Sequence, residues 1–271
     1  MMARASDENS VQGIGSKVVI LSGNRGLGLE VVRSALSKGL SVVATCRKSS
    51  DELDALADQL HIMPGLDVTS ESAPQDLVAF LKDRGWDTVD AVISISGLFT
   101  FDSFDDLQPP KIMKMYDVCA VGPLRILSHL AVEGVLAEGG KIGMITSEGG
   151  SIGLRTHKEG GGNYGHHMSK AAQNMMGKIL SIDLKPKGIA IVNIHPGFIK
   201  TSMTEKFSEM YEKYGAIEAA EAAPGIIEAV QRLTLEDTGK FIAPQGTDSL
   251  GFGLEGLENP KEVGHFGELP W

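Results

Sequence analysis

The sequence contains little cysteine, no excess of basic residues and no long apolar segment. Its two cysteines among 271 residues, Cys46 and Cys119, form no pair or Cys/His group with the spacing of metal ligands, so we expect no metal site. So few thiols are also typical of proteins from a reducing, intracellular compartment. The formal net charge of -10 at pH 7 disfavours nucleic acid and anionic membranes as partners, because both bind basic surfaces.

Targeting segments are missing as well. No apolar run reaches the ~18 residues of a transmembrane helix, so we expect no membrane partner. Residues 1–16 have no apolar core and carry Asp7 and Glu8, which is not the pattern of a signal peptide. We interpret residues 1–16 as a flexible N-terminal tail, residues 17–271 as a single domain, and the protein as cytoplasmic.

Strand-like and helix-like segments alternate along the rest of the chain. Short, apolar, β-branched runs indicate buried strands, and apolar residues every three or four positions indicate helices. The predicted strands are 17–22, 40–45, 61–66, 88–94, 141–146, 189–195 and 240–243. The predicted helices are 27–38, 51–60, 74–84, 111–136 with a kink near Gly122 and Pro123, 165–184 and 219–233. This order is typical of the α/β class and predicts a doubly wound parallel sheet (Rossmann fold) of about seven strands with helices on both faces.

A glycine-rich segment follows the first predicted strand and opens the first predicted helix. It consists of Ser22, Gly23, Asn24, Arg25, Gly26, Leu27 and Gly28. The glycines let the backbone turn tightly and approach a pyrophosphate, and the helix N-terminus adds unpaired N–H groups. Three glycines would also form a plain turn, and the general G-x-G-x-x-G spacing is absent. The position between strand and helix favours a phosphate-binding loop.

This segment resembles the T-G-x-x-x-G-x-G loop of the short-chain dehydrogenase/reductase family. It is either one residue short or carries Ser22 at the first glycine position. Three later segments, each after a predicted strand, are similar to cofactor-contacting motifs of the family. The resemblance assigns cofactor contacts there to Asp67, Val68, Ser96, Gly97, Pro196, Gly197, Ile199 and Thr201.

Two arginines favour NADP(H) over NAD(H) as the cofactor. Arg47 follows the second predicted strand, where NAD-preferring folds carry an acidic residue that binds the ribose hydroxyl. An arginine there binds the 2′-phosphate of NADP(H) through charge-assisted hydrogen bonds, and Arg25 in the glycine-rich segment is the second candidate. The alternative is that both arginines are solvated surface residues.

The catalytic positions match the family only in part. The resemblance implies a serine that polarises a carbonyl, a tyrosine that transfers the proton, a lysine that holds the nicotinamide ribose, and an asparagine in a proton relay. Ser147 and Lys170 occupy the serine and lysine positions, but His166 stands at the tyrosine position and Cys119 at the asparagine position. His166 lies four residues before Lys170, which places both on one helix face.

His166 leaves the chemistry open. An imidazolium is a competent proton donor, but burial and the neighbouring Lys170 cation would both lower its pKa, so we expect a slow reductase or one that improves toward acid. Tyr164 would substitute only if the helix began later than predicted, and Cys119 in an apolar helix is best interpreted as inert filler. The alternatives are a non-redox enzyme on the same scaffold (an isomerase, cyclase or lyase) and a catalytically silent NADP(H)-sensing protein.

The last part of the chain concerns the substrate. Residues 201–223 are rich in methionine and aromatic residues, which predicts a lid over the nicotinamide, although amphipathic packing would produce the same pattern. The glycine-rich loop, the segment around Lys170 and the segment 246–271 resemble the C-factor-like and sniffer-like carbonyl reductase branch. That resemblance implies a small aldehyde, ketone or quinone-like substrate, and pairing through the long helices into a homodimer or homotetramer.

Overall fold

The computed structural model describes residues 16–157, 159–251, 253–257 and 263–271. Apart from Ser16, the predicted N-terminal tail lies outside these residues. The strands are β1 (Lys17–Leu21), β2 (Ser41–Cys46), β3 (His61–Pro64), β4 (Val89–Ser94), β5 (Leu136–Ile145), β6 (Ala190–Ile194), β7 (Ile199–Lys200), β8 (Ile217–Glu218), β9 (Lys240–Ala243) and β10 (Gly267–Glu268). The helices are α1 (Gly26–Ser37), α2 (Asp51–Asp54), α3 (Ala73–Lys82), α4 (Pro109–Tyr116), α5 (Gly122–Val132), α6 (Tyr164–Leu184) and α7 (Ala219–Arg232).

The main sheet confirms the predicted α/β fold. Its eight strands run in the order β10-β9-β6-β5-β4-β1-β2-β3, and all neighbouring pairs are parallel except β10 with β9. The chain therefore adds an antiparallel edge strand to the seven predicted ones. Because β1 pairs with β2 on one side and with β4 on the other, the strand order reverses there, and such a switch point is where open α/β sheets bind ligands.

Three predicted elements differ in detail. The second helix ends at Asp54 rather than residue 60, and only Leu53 of it is buried, so little packing stabilises a longer helix. The fourth predicted helix, 111–136, is divided between α4 and α5 by a π-helical turn at Asp117–Val121, directly before the predicted kink. Strand β5 begins at Leu136, but regular pairing with β4 starts only at Lys141, after a register shift.

Two apolar clusters bury the two faces of the sheet. One contains Val19 and Leu21 of β1 with α3 and α5 residues such as Leu77 and Leu127, and the other contains Ile20 of β1 with residues of α1 and α7. Successive residues of β1 point to opposite clusters, as a strand covered on both faces requires. No helix in the described ranges is long and apolar enough to cross a membrane.

Candidate functional site

The glycine-rich loop joins β1 to α1 at the switch point of the sheet. Ser22 has a φ of 69°, a conformation that favours glycine, and this favours placing Ser22 at the first glycine position of the motif. A Cβ on Gly28 would lie 2.2 Å from the Ser22 carbonyl oxygen, so only glycine lets α1 start this close to the loop.

The first turn of α1 is built to accept an anion. No side chain caps its N-terminus and no acidic residue lies in its first turn, so no carboxylate there competes with a ligand for its N–H groups and positive dipole end. This arrangement fits the pyrophosphate of a dinucleotide. Ser94, at the end of the neighbouring strand β4, has a buried hydroxyl without a hydrogen-bond partner among the described residues.

The two candidate arginines lie on loops that are bonded to each other. The Asn24 side-chain amide donates to the Lys48 carbonyl oxygen over 2.9 Å, and the Ser50 hydroxyl donates to the Asn24 carbonyl oxygen over 2.7 Å. Arg25 and Arg47 are both exposed beside these bonds. The loops after β1 and β2 are thus held together with two guanidinium groups accessible to a phosphate.

The remaining cofactor candidates surround the same edge of the sheet. The Ser96 hydroxyl lies 3.1 Å from that of Ser22, and a Cβ on Gly26 would lie 3.3 Å from the Thr201 methyl group. Asp67 accepts from the backbone N–H and hydroxyl of Thr69, and the backbone bond is the main reason why the pKa of Asp67 is lowered. Its carboxylate is therefore ionised and turned into a local cap. Val68, Pro196 and Ile199 are buried, Gly97 follows β4, and Gly197 has a φ of 102°.

A short turn that begins at Ser147 packs against α6. The Ser147 hydroxyl accepts from the Gly149 N–H over 3.0 Å, which closes a 3₁₀ turn at Glu148–Gly150. A Cβ on Gly149 would lie 3.1 Å from Cε1 of His166, so the missing side chain allows this turn to pack on the imidazole. The turn that begins at Ser147 therefore packs against the His166 ring through Gly149.

His166 lies in an apolar, cationic environment. Its ring packs edge-to-face on Phe99 with a centroid distance of 5.2 Å and on His167 at 5.5 Å. Burial, and then the Lys170 charge, hold the pKa of His166 well below its usual value near 6.5. Its imidazole is consequently neutral at pH 7, and a neutral imidazole keeps one N–H donor.

Lys170 points into the protein. Its ammonium donates to the Ile145 carbonyl oxygen over 3.0 Å and to the Gln173 side-chain oxygen over 2.8 Å, so two of its three N–H donors are used within the chain. Burial lowers the pKa of Lys170. Gln173, which also donates to the Ile145 carbonyl oxygen, was not identified from the sequence because a mid-helix glutamine carries no distinctive signal.

The start of α6 turns Tyr164 away from the tyrosine position. Tyr164 is the first residue of α6, two residues before His166, and its hydroxyl lies 3.8 Å from where a Cβ on Gly161 would be. The buried Asp102 carboxylate accepts from the Tyr164 and Gly165 N–H groups over 2.5 and 2.9 Å and so caps the helix. Sequence reasoning missed Asp102, because Asn163 is an ordinary local cap by type and only the structure shows that its side chain makes no capping bond.

Cys119 is buried in the π-helical turn. Its thiol contacts the Leu98 carbonyl oxygen over 3.9 Å, a long sulfur contact. The turn passes close to the loop after β3, because a Cβ on the adjoining Gly122 would lie 2.5 Å from the Val68 carbonyl oxygen. This packing is compatible with the filler role predicted for Cys119.

Two further buried groups hold the turn that follows β5. The Glu148 carboxylate accepts from the Gly251 and Gly253 N–H groups over 3.2 and 2.8 Å. The His195 ring accepts from the Glu148 N–H over 3.1 Å and lies 3.0 Å from the Ser249 carbonyl oxygen. These long-range bonds attach the segment after β9 to the Ser147 turn, and a single sequence carries no spacing that would reveal them.

The predicted lid covers the end of β4. The predicted range 201–223 contains a 3₁₀ segment at Glu205–Met210 and the first turn of α7, which begins at Ala219. Phe207 packs edge-to-face on Phe99 with a centroid distance of 5.6 Å, and a Cβ on Gly97 would lie 4.0 Å from the Met203 methyl group. Phe207 of the predicted lid is thus separated from His166 by the Phe99 ring, which contacts both.

Comparison with known proteins agrees with this geometry. The profile of the family described as short chain dehydrogenase matches residues 16–212. The 1-hydroxy-2-glutathionyl-2-methyl-3-butene dehydrogenase of Rhodococcus sp. (strain AD45) is 33% identical over 232 residues, covering 86% of this chain and 98% of that protein.

Solved structures share the fold. An NADPH-bound carbonyl reductase from chicken fatty liver is 25% identical with a TM-score of 0.75, over 84% of this chain and 96% of that one. The carbonyl reductase Sniffer of D. melanogaster is 23% identical with a TM-score of 0.72, again over 84% and 96% of the two chains. The family match spans most of the chain and confirms the resemblance seen in its motifs: the chain belongs to the short-chain dehydrogenase family and is an oxidoreductase of that type.

Proposed function

We propose that this protein is an NADP(H)-dependent reductase of small aldehydes, ketones or quinone-like carbonyl compounds, with Ser147, His166 and Lys170 at its centre. The observation that carries this proposal is the packing of the Ser147 turn on the His166 ring, together with the uncapped N-terminus of α1 at the switch point of the sheet. The chicken and Drosophila proteins, described as carbonyl reductases, have the same fold, and the first is NADPH-bound.

The cofactor would be held by the glycine-rich loop, the two arginines and the residues after β4 and β6. The N–H groups of α1 would bind the pyrophosphate, Arg25 and Arg47 the 2′-phosphate, and Ser96 and Thr201 would line the nicotinamide end. When bound, NADPH supplies the hydride for carbonyl reduction.

The chain's own residues would stabilise charge and provide a proton. The Ser147 oxygen already accepts from Gly149, so its hydrogen is available to donate to a substrate carbonyl oxygen. Lys170 would add positive charge from its buried position beside the end of β5, where charges interact strongly. The neutral His166 would donate a hydrogen bond at pH 7 and a proton in its charged form.

The depressed pKa of His166 predicts an acid-favouring enzyme. Above that pKa the imidazolium fraction rises about tenfold for each pH unit of acidification, so turnover should increase from about pH 8 to about pH 6. The measurement is NADPH oxidation, followed by absorbance, against a panel of aldehydes, ketones and quinones at several pH values. His166→Ala should lower turnover and flatten this profile while the Kd for NADPH stays unchanged.

The same experiment separates the alternatives. The scarcity of imidazolium at neutral pH favours a silent NADP(H)-sensing protein, which would bind NADPH and reduce no member of the panel at any pH. Product formed without net NADPH consumption would instead indicate an isomerase, cyclase or lyase. If His166→Ala turns over normally, His166 has no part in the mechanism.

An Arg47→Ala variant tests whether the protein recognises the 2′-phosphate of NADP(H). Because its guanidinium is exposed beside the glycine-rich loop, Arg47→Ala should raise the Kd for NADPH by about tenfold, the value of one charge-assisted hydrogen bond. NADH lacks the 2′-phosphate, so its Kd should stay the same, as measured by calorimetry. Lys38→Ala, an exposed cation at the far end of α1, is the matched control. An equal loss for both cofactors would exclude 2′-phosphate recognition by Arg47.

Exposed apolar residues support pairing through the long helices. On α6, Met175, Ile179 and Ile182 are 60%, 51% and 66% exposed, and Val132 at the end of α5 is 73% exposed. Water contact at such side chains is unfavourable, so a homodimer or homotetramer would bury them. Sedimentation of the purified protein as a monomer at all concentrations would contradict this pairing.

A further inference from the structure

A lysine of the lid stands among three phenylalanine rings beside the candidate active site. The Lys206 ammonium lies 4.2 Å from the ring centroid of Phe99, 4.9 Å from that of Phe101 and 5.1 Å from that of Phe207. Phe99 also contacts the His166 ring. A single phenyl ring therefore separates this cation from the group proposed to act on the substrate carbonyl.

The lid backbone holds Lys206 at this place. The Thr204 hydroxyl donates to the Ile199 carbonyl oxygen over 2.6 Å, accepts from the Thr201 N–H over 3.1 Å, and lies 2.9 Å from the Tyr211 hydroxyl. These bonds anchor the lid two residues before Lys206, so its position over the rings follows from the local fold.

The charge of Lys206 is not paired with an acid in the part of the chain that the structure describes. Asp102, next to Phe101, directs both carboxylate oxygens to the start of α6. Glu205 and Glu209 flank Lys206 along the chain, but both are exposed and neither forms an ion pair with it. Lys206 is exposed to solvent on its other side, and the part of it that the rings cover lowers its pKa.

The rings and the ammonium offer complementary contacts to one ligand. Ring faces attract a cation but leave its three N–H donors without strong oxygen acceptors. A carboxylate would take these donors, and the nearby apolar rings would strengthen the ion pair by lowering the local dielectric constant. The flat ring faces would stack on an aromatic or conjugated group.

We propose that Lys206 binds a carboxylate of the substrate while Phe99, Phe101 and Phe207 pack against its unsaturated body. The preferred substrate is then an aromatic or conjugated carbonyl compound that carries a carboxylate. This assignment rests on the proposed reductase function, whose reacting carbonyl would lie beside His166.

The test uses two aldehydes that differ in charge but little in shape, 4-formylbenzoate and its methyl ester. Wild-type protein with NADPH should reduce the aldehyde group of both compounds. Its kcat/KM should be about tenfold higher for 4-formylbenzoate than for the methyl ester, the value of one charge-assisted hydrogen bond. Lys206→Met should lose this preference because kcat/KM falls for 4-formylbenzoate and not for the ester, whereas Lys206→Arg should keep the preference. Lys213→Met is the matched control, since Lys213 belongs to the same region but lies over Tyr214.

A binding measurement keeps this inference separate from the reductase proposal. The Kd of 4-(hydroxymethyl)benzoate for the NADP⁺-loaded protein, measured by calorimetry, should rise about tenfold in Lys206→Met. This result without any turnover would support the carboxylate site and overturn the reductase. The carboxylate site alone would be overturned if Lys206→Met changed kcat/KM equally for 4-formylbenzoate and its methyl ester. A higher wild-type kcat/KM for the ester would overturn it as well.

Discussion

Ser147→Ala should lower kcat/KM for carbonyl reduction by about 10²- to 10³-fold, the usual effect of removing one donor to a developing oxyanion. The Kd for NADPH should stay unchanged, because the hydroxyl acts on the substrate in the proposed mechanism. The reason lies in the 3₁₀ turn after β5, where the Gly149 N–H occupies the Ser147 oxygen as acceptor and leaves the hydrogen to donate. Steady-state kinetics on the best carbonyl substrate of the panel measures the first value, and calorimetry the second.

Two controls separate chemistry from structure in this variant. Losing the cap of the turn costs about 1 kcal/mol, so the midpoint of thermal unfolding should fall by only a few degrees. Ser147→Thr keeps a hydroxyl and should restore part of the activity. Full activity in Ser147→Ala would remove Ser147 from the mechanism, and a loss matched by unfolding would assign it a structural role.

Gly28→Ala should raise the Kd for NADPH by at least about 100-fold, equivalent to about 2.7 kcal/mol. An added Cβ would lie 2.2 Å from the Ser22 carbonyl oxygen, so the loop and the first turn of α1 must separate. That movement would displace the N–H groups that we propose bind the pyrophosphate. Calorimetric titration with NADPH measures the effect.

Gly264→Ala is the matched control, because a Cβ there meets nothing within 4 Å. If Gly28→Ala does not fold, as judged by circular dichroism, Gly26→Ala provides the test. Its Cβ would lie 3.3 Å from the Thr201 methyl group, at a φ of 50° that disfavours alanine, so we expect a smaller loss of NADPH binding. Unchanged NADPH binding in folded variants of both glycines would exclude this loop as the pyrophosphate site.

For the proposed catalytic residues, the sequence predicted which side chains share a helix face but not the bonds that those side chains form. The spacing of His166 and Lys170 already placed both on one face of α6, because a helix repeats every 3.6 residues. The bond of Lys170 to the Ile145 carbonyl oxygen was not predictable, since it depends on how deeply α6 packs against β5. The proposed catalytic role of Ser147 with His166 remains a prediction that the variants above test.

Local patterns in the sequence determined the order of strands and helices, the glycine-rich loop and the family. These features depend on residues close together in the chain, where periodicity and turn chemistry act directly. Tertiary structure alone decided the left-handed Ser22, the capping of α6 by Asp102 and the aromatic surroundings of Lys206. Each joins segments far apart in sequence or depends on close packing between them, and only the folded chain sets those distances.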